Sequence, residues 1–72
     1  NTIPVKINMP GIILKFFVEV GQIIKKGDPI ILLESMKMET TIPSPKSGTI
    51  DAINTEVGMN ITNQTIIMSI KE

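Results

Sequence analysis

Residues 32–42 read LLESMKMETTI. The residues that lead in, PIILL at 29–33, form an apolar run of the kind used by a buried strand. Those that lead out, TTIPSP at 40–45, read as a second strand running into a proline break. The chain therefore turns back near Met36-Lys37. Two-residue hairpin turns favour Asn-Gly, Asp-Gly or Gly-Gly, because both central residues need positive φ. Methionine and lysine resist that conformation at about 1–2 kcal/mol per residue. Turn chemistry of the usual kind is at hand elsewhere, in Gly27-Asp28. Breaking the local rule here marks the tip as a place of function.

Around this tip the chain repeats itself. Shifted by 37 residues, Gly11 falls on Gly48, Ile13 on Ile50, Glu19-Val20-Gly21 on Glu56-Val57-Gly58, Ile24 on Ile61 and Ile30 on Ile67. Each half has the same plan. A glycine opens a strand (GIILKFFV, GTIDAINT), and a Val-Gly pair makes a turn where glycine supplies positive φ. A short apolar step follows (QII, MNI), then a polar turn (KKGD, TNQT) and a closing strand (PIILL, TIIMSI). Pro29 is tolerable because it starts its strand. No stretch has a capped helical period. The expectation is an all-β chain, with residues 1–72 forming one domain. Its two halves pack face to face across a pseudo-two-fold axis into a small sandwich or flattened barrel. The symmetry mate of the lysine hairpin then falls where the chain begins and ends, so Lys37 is expected at the opposite pole from both termini.

Composition bears on both fold and function. At 72 residues, with no cysteine and no histidine, neither a disulfide nor a Cys/His zinc site is available. Burial must supply the stability: 42% of the residues are hydrophobic and 15 are isoleucine, a residue suited to pleated surfaces. Seven lysines balance seven acidic residues, and Phe16 and Phe17 are the only aromatics. That leaves neither the basic stripe nor the stacking platform of a nucleic-acid binder. No apolar run approaches the ~20 residues of a membrane span. The cysteine-free composition is compatible with a cytoplasmic protein, and a cytoplasmic location is expected. The chain opens on Asn1 rather than methionine, in keeping with a piece of something longer.

For an arbitrary Met-Lys-Met triplet the ordinary reading is gap-filling methionine beside a solvated charge. Its place midway between the repeats, flanked by Glu34 and Glu39 at a hairpin tip, reverses that reading. A lysine there is presented rather than packed. An exposed amine has a pKa near 10.4 and is a poor nucleophile unaided. A hairpin tip has no pocket to depress that value, and no His or Cys partner exists. Ser35 has no base near it in sequence. Lys37 is thus expected to be the substrate of another enzyme, which supplies an activated acyl group, with the methionines as adaptable apolar handles.

ESMKMET resembles the attachment motif of biotinyl domains, the biotin carboxyl carrier modules of biotin-dependent carboxylases and decarboxylases. The likeness extends over MPGII (9–13), VEVGQIIKKGDPIILLESMKME (18–39) and IPSPKSGTIDAINTEVGMNI (42–61). It implies a flattened barrel, a barrel-sandwich hybrid of two four-stranded antiparallel sheets with quasi-two-fold symmetry. It also implies biotin in amide linkage on Lys37, Met36 and Met38 presenting that lysine, and Glu34 in recognition by biotin protein ligase. The biotin arm would carry a carboxyl group between a biotin carboxylase and a carboxyltransferase or decarboxylase. Two departures from the family pattern stand out. Ser35 replaces a frequent alanine, and the 37-residue spacing leaves no room for the protruding thumb of some bacterial carriers, so a thumbless member is expected.

Other readings remain at this stage. A lipoyl domain shares the fold but usually has aspartate before the lysine, where this chain has Met36. An unmodified barrel-sandwich module would only mediate assembly. An enzyme in its own right would need a nucleophile–base pair or a metal cluster, and the sequence offers neither.

Overall fold

Both glycine-opened segments become strands, and the two halves of the repeat are built alike. The computed structural model describes residues 2–72. Its strands are β1 (Thr2–Val5), β2 (Gly11–Phe16), β3 (Ile23–Ile24), β4 (Pro29–Ser35), β5 (Met38–Pro43), β6 (Gly48–Ile53), β7 (Asn60–Ile61) and β8 (Met68–Lys71). They form two four-stranded sheets, in the orders β1-β8-β6-β3 and β5-β4-β2-β7. All neighbouring strands run antiparallel. Advancing β1 to β4 by one half-chain gives β5 to β8, and the first sheet order then becomes the second.

The symmetry holds down to single hydrogen bonds. Gly11 pairs with Ile61 as Gly48 pairs with Ile24. A bulge between Ile13 and Lys15 is repeated between Ile50 and Ala52. The N–H of Gly21 donates to the Ile50 carbonyl at 2.8 Å, and that of Gly58 to the Ile13 carbonyl at 2.7 Å. These bonds stitch the turn of each half to the other half's sheet. At both glycines φ is near 90° (91° and 89°), which fits the Val-Gly turns read from the sequence. The connections 17–22 and 54–59 are equally short, so no thumb is present.

Burial follows the repeat. Ile13 and Ile50, Ile24 and Ile61, Ile30 and Ile67, and Leu33 and Ile70 are all buried. Two core positions are apolar in one half and polar in the other. Val18 answers to Thr55, whose hydroxyl donates to the Ile67 carbonyl at 3.3 Å. Ile7 answers to Ser44, whose hydroxyl donates to the Lys46 carbonyl at 2.6 Å. Each buried hydroxyl is thereby satisfied, as burial requires.

Gly11 and Gly48 are needed for close approach. A Cβ on Gly11 would stand 2.6 Å from the Glu34 carbonyl oxygen, and one on Gly48 2.5 Å from that of Lys71. Backbone is in the way, so the strands must separate to admit a methyl group. Gly11→Ala is expected to destabilise by about 1–3 kcal/mol. Urea titration checks it; an unchanged midpoint would show that β2 and β4 part freely.

The structure departs from the sequence reading in two places. The closing strand expected at TIIMSI starts at Met68, three residues late. Thr62 and Thr65 close a turn instead, with the Thr62 N–H donating to Thr65 Oγ1 at 3.0 Å. Ile66 is left 43% exposed, while Ile67 donates its N–H to Val5 and remains in the core. Strand β1 was not foreseen, because Pro4 sits inside it. It is an edge strand pairing with β8 alone, where a missing N–H is tolerated.

The register places the two poles. β4 ends at Ser35 beside the Met36-Lys37 turn, and the start of β2 lies at the same end, with Ile12 opposite Glu34. From the far end of β5, residues 44–47 lead to Gly48 in the other sheet. There Thr49 faces Lys71, and Lys71 faces Thr2. Lys37 and the Thr2/Lys71 pair thus occupy opposite poles of a body 33 Å long.

Candidate lysine modification site

The site is built on the β4–β5 ladder. Ser35 and Met38 form its last pair, leaving Met36 and Lys37 as the two residues of the turn. Their φ values are 52° and 67°, the positive values of a type I′ turn. Among the described residues they are the only non-glycine positions with positive φ. Strain of this kind survives where the surroundings over-determine it, and six ladder pairs from Pro29↔Pro43 to Ser35↔Met38 do so here.

Packing does not account for the methionines. Met36 is 92% exposed and Met38 68%, so the gap-filling reading fails. Lys37 is exposed between them. Long apolar side chains left this exposed have their use against something else. Met36→Asn tests the strain: asparagine tolerates this conformation, and the substitution is expected to raise stability by about 1 kcal/mol. Thermal melting reads it out; an unchanged midpoint would mean the turn stores no strain.

Below the tip lies a row of paired residues. Asn60 on β7 pairs with Ile12 on β2, Ile12 with Glu34 on β4, and Glu34 with Glu39 on β5. Two carboxylates directly opposite each other are mutually unfavourable in a sheet. They place negative charge beside the lysine. An open groove of about 430 Å³ runs along this row, lined by Pro10, Ile12, Glu34, Met36, Lys37 and Asn60 among others. The structure thus gathers Glu34, Met36, Lys37 and Met38 at one tip, as the motif required. It adds Pro10, Ile12 and Asn60, which local reading did not reach. One signal was available for Asn60: its repeat partner is the apolar Ile23.

The model for the family described as "Biotin-requiring enzyme" matches residues 3–70. This chain belongs to that family. This biotin-requiring-enzyme domain is 41% identical over 61 residues to the biotin carboxyl carrier protein of Streptococcus mutans, covering 85% of the chain and 45% of that protein. It is 37% identical over 65 residues to the pyruvate carboxylase of Bacillus subtilis, covering 90% of the chain and 6% of that enzyme. Among solved structures, the urea carboxylase of Kluyveromyces lactis superimposes with a TM-score of 0.89 at 24% identity, over 99% of the chain and 6% of that protein. That likeness shows the fold. The domain therefore spans less than half the length of these relatives. No helix among the described residues is long and apolar enough to cross a membrane.

Proposed function

We propose that this domain is a biotin carboxyl carrier, with biotin in amide linkage to Nζ of Lys37. The observation that carries the reading is Lys37 exposed at the apex of a strained type I′ turn, between two largely exposed methionines. The groove beside it sets the apolar Pro10, Ile12 and Met36 beside the polar Glu34, Ser35 and Asn60, a mixture suited to a ring with one apolar face and one hydrogen-bonding edge, so the residues present fit the group. When bound, biotin supplies a ureido nitrogen that takes up and releases a carboxyl group.

Each side chain has a part in this. Lys37 offers its amine to an activated biotinyl group held by a biotin protein ligase. The amide bond forms as the bond to the activating group breaks and that group leaves, and the lysine ammonium gives up two of its three protons to the ligase site. Met36 and Met38 lend the ligase apolar contact, and Glu34 lends charge. The domain itself is non-catalytic; a biotin carboxylase and a carboxyltransferase or decarboxylase act on the arm. Residues 1–72 are one such domain, in the cytoplasm, with Asn1 outside the described residues. The position of the tip helps: a domain held at the Thr2/Lys71 pole swings Lys37 through the widest arc, and tethering raises the arm's effective concentration at each partner site.

The test is incubation with a biotin protein ligase, biotin and ATP, followed by intact mass and peptide mapping. One biotinyl group on Lys37 is expected. Modification by a lipoyl ligase alone, or no modification, would overturn the assignment.

A further inference from the structure

The quasi-two-fold axis gives this domain an internal control. Whatever the fold needs should recur in both halves, and most of the core, the Val-Gly turns and Gly11/Gly48 do. The row beneath Lys37 does not. Its counterparts at the opposite pole, paired in the same order, are Ile23, Thr49, Lys71 and Thr2, in place of Asn60, Ile12, Glu34 and Glu39. Pro10 answers to Ser47. Polar and apolar character are exchanged at Asn60/Ile23, Ile12/Thr49 and Pro10/Ser47, and Glu34 is replaced by a residue of opposite charge, Lys71.

The exchange at Asn60 is informative. Asparagine is disfavoured in strands. Solvent exposure does not demand it, because Ile23 stands 80% exposed at the equivalent edge position. Ile12 is likewise half-buried where its counterpart is a threonine. The Lys37 pole therefore has an apolar floor, Pro10 and Ile12, closed on one side by a side-chain amide.

Resting on the carrier reading above, we propose that this groove is a docking site for the head of the biotin attached to Lys37, with Asn60 as the residue that selects it. Biotin's fused rings present an apolar thioether face and a cyclic urea edge with N–H donors and one carbonyl acceptor. Pro10, Ile12 and Met36 match the first. The Asn60 carboxamide, which both donates and accepts, matches the second. The groove's volume, about 430 Å³, lies in the range of small-molecule sites. Lys37 forms part of the wall, so the occupant is tethered at the rim, where effective concentrations are about millimolar. Docking too weak to hold free biotin is then enough to seat the attached one, and weak enough to release it to a partner.

The experiment compares ¹H–¹⁵N spectra of the chain before and after biotinylation, with intact mass proving one biotinyl group on Lys37. Expected are shift changes at the Gly11 and Ile12 amides and the Asn60 side-chain NH₂, and nuclear Overhauser contacts from ring protons to Ile12. Asn60→Ile, which installs the residue of the opposite pole, should abolish those contacts. Changes confined to residues 36–38 in the loaded, unsubstituted chain would overturn the docking site and leave the carrier function standing. Failure of the mass to change would overturn the carrier reading itself, and the docking site with it.

Discussion

Lys37→Arg abolishes labelling by a biotin protein ligase and leaves the melting midpoint where it was. The chemistry decides the first half. Arginine keeps length and charge, but a guanidinium stays protonated in proteins and offers no free amine to an acyl donor. Geometry decides the second half. Position 37 is exposed at a turn, and surface substitutions of that kind usually move stability by less than about 0.5 kcal/mol. The other six lysines serve as built-in competitors. Lys15, for one, lies over the Phe17 ring at 5.4 Å from its centroid rather than at a tip. Lys71 occupies the quasi-equivalent of Glu34, with none of the motif around it. Label retained by the arginine variant would mean that one of these is the acceptor, and would sink the assignment of Lys37.

Ile30→Ala and Ile67→Ala should each destabilise by about 2–5 kcal/mol. Both side chains are fully buried, and they are the same position in the two halves. Each also has a backbone neighbour bonded in the same way: Phe17 N–H to the Ile30 carbonyl at 2.9 Å, Asn54 N–H to the Ile67 carbonyl at 2.8 Å. Similar losses are therefore expected from the pair. For a domain this small, total stability sits toward the low end of about 5–15 kcal/mol, so either loss is a large fraction of it. Met36→Ala, at an exposed tip, should change stability by less than about 0.5 kcal/mol. Denaturant midpoints at constant slope measure all three. Equal losses at the three positions would put Met36 in the core and return the methionines to a packing role.

These two results separate the pedestal from what it presents. Ile13/Ile50, Ile24/Ile61 and Ile30/Ile67 recur in both halves because a closed core needs them on both sides. Lys37 has no counterpart within the described residues, since its symmetry mate falls where the chain starts and stops. One consequence is that changes at the tip and changes in the core should be nearly independent. Met36→Asn is the sharpest case: it stabilises the turn while removing an apolar handle.

Much of this was legible along the chain. The hairpin could be read because a strand run, a turn that breaks the usual chemistry and a second strand run are consecutive. The repeat could be read because glycines at turns and isoleucines in the core recur at a fixed spacing. From these came the all-β sandwich or flattened barrel, its pseudo-two-fold symmetry and the exposure of Lys37; the four strands per sheet and the missing thumb followed only with the family resemblance. Strand β1 was hidden by Pro4, whose acceptability depends on having a neighbour on one side only. The late start of β8 was hidden because Ile66 and Ile67, after the polar TNQT turn, read as strand by composition yet lie outside the ladder. In both cases the partner strand decides which residues pair, and it is distant in sequence.

The order of residues by itself determined which side chain is offered and that the chain folds on itself twice, because turn preference and strand pattern act over a few neighbours. The folded body alone decided what lies beside that side chain. Pro10, Ile12 and Asn60 come to Lys37 from distant parts of the chain through the pairing of β2 with β4 and β7. Register across strands is set by burial of the whole core, and a slip of one residue would turn each of them to the other face.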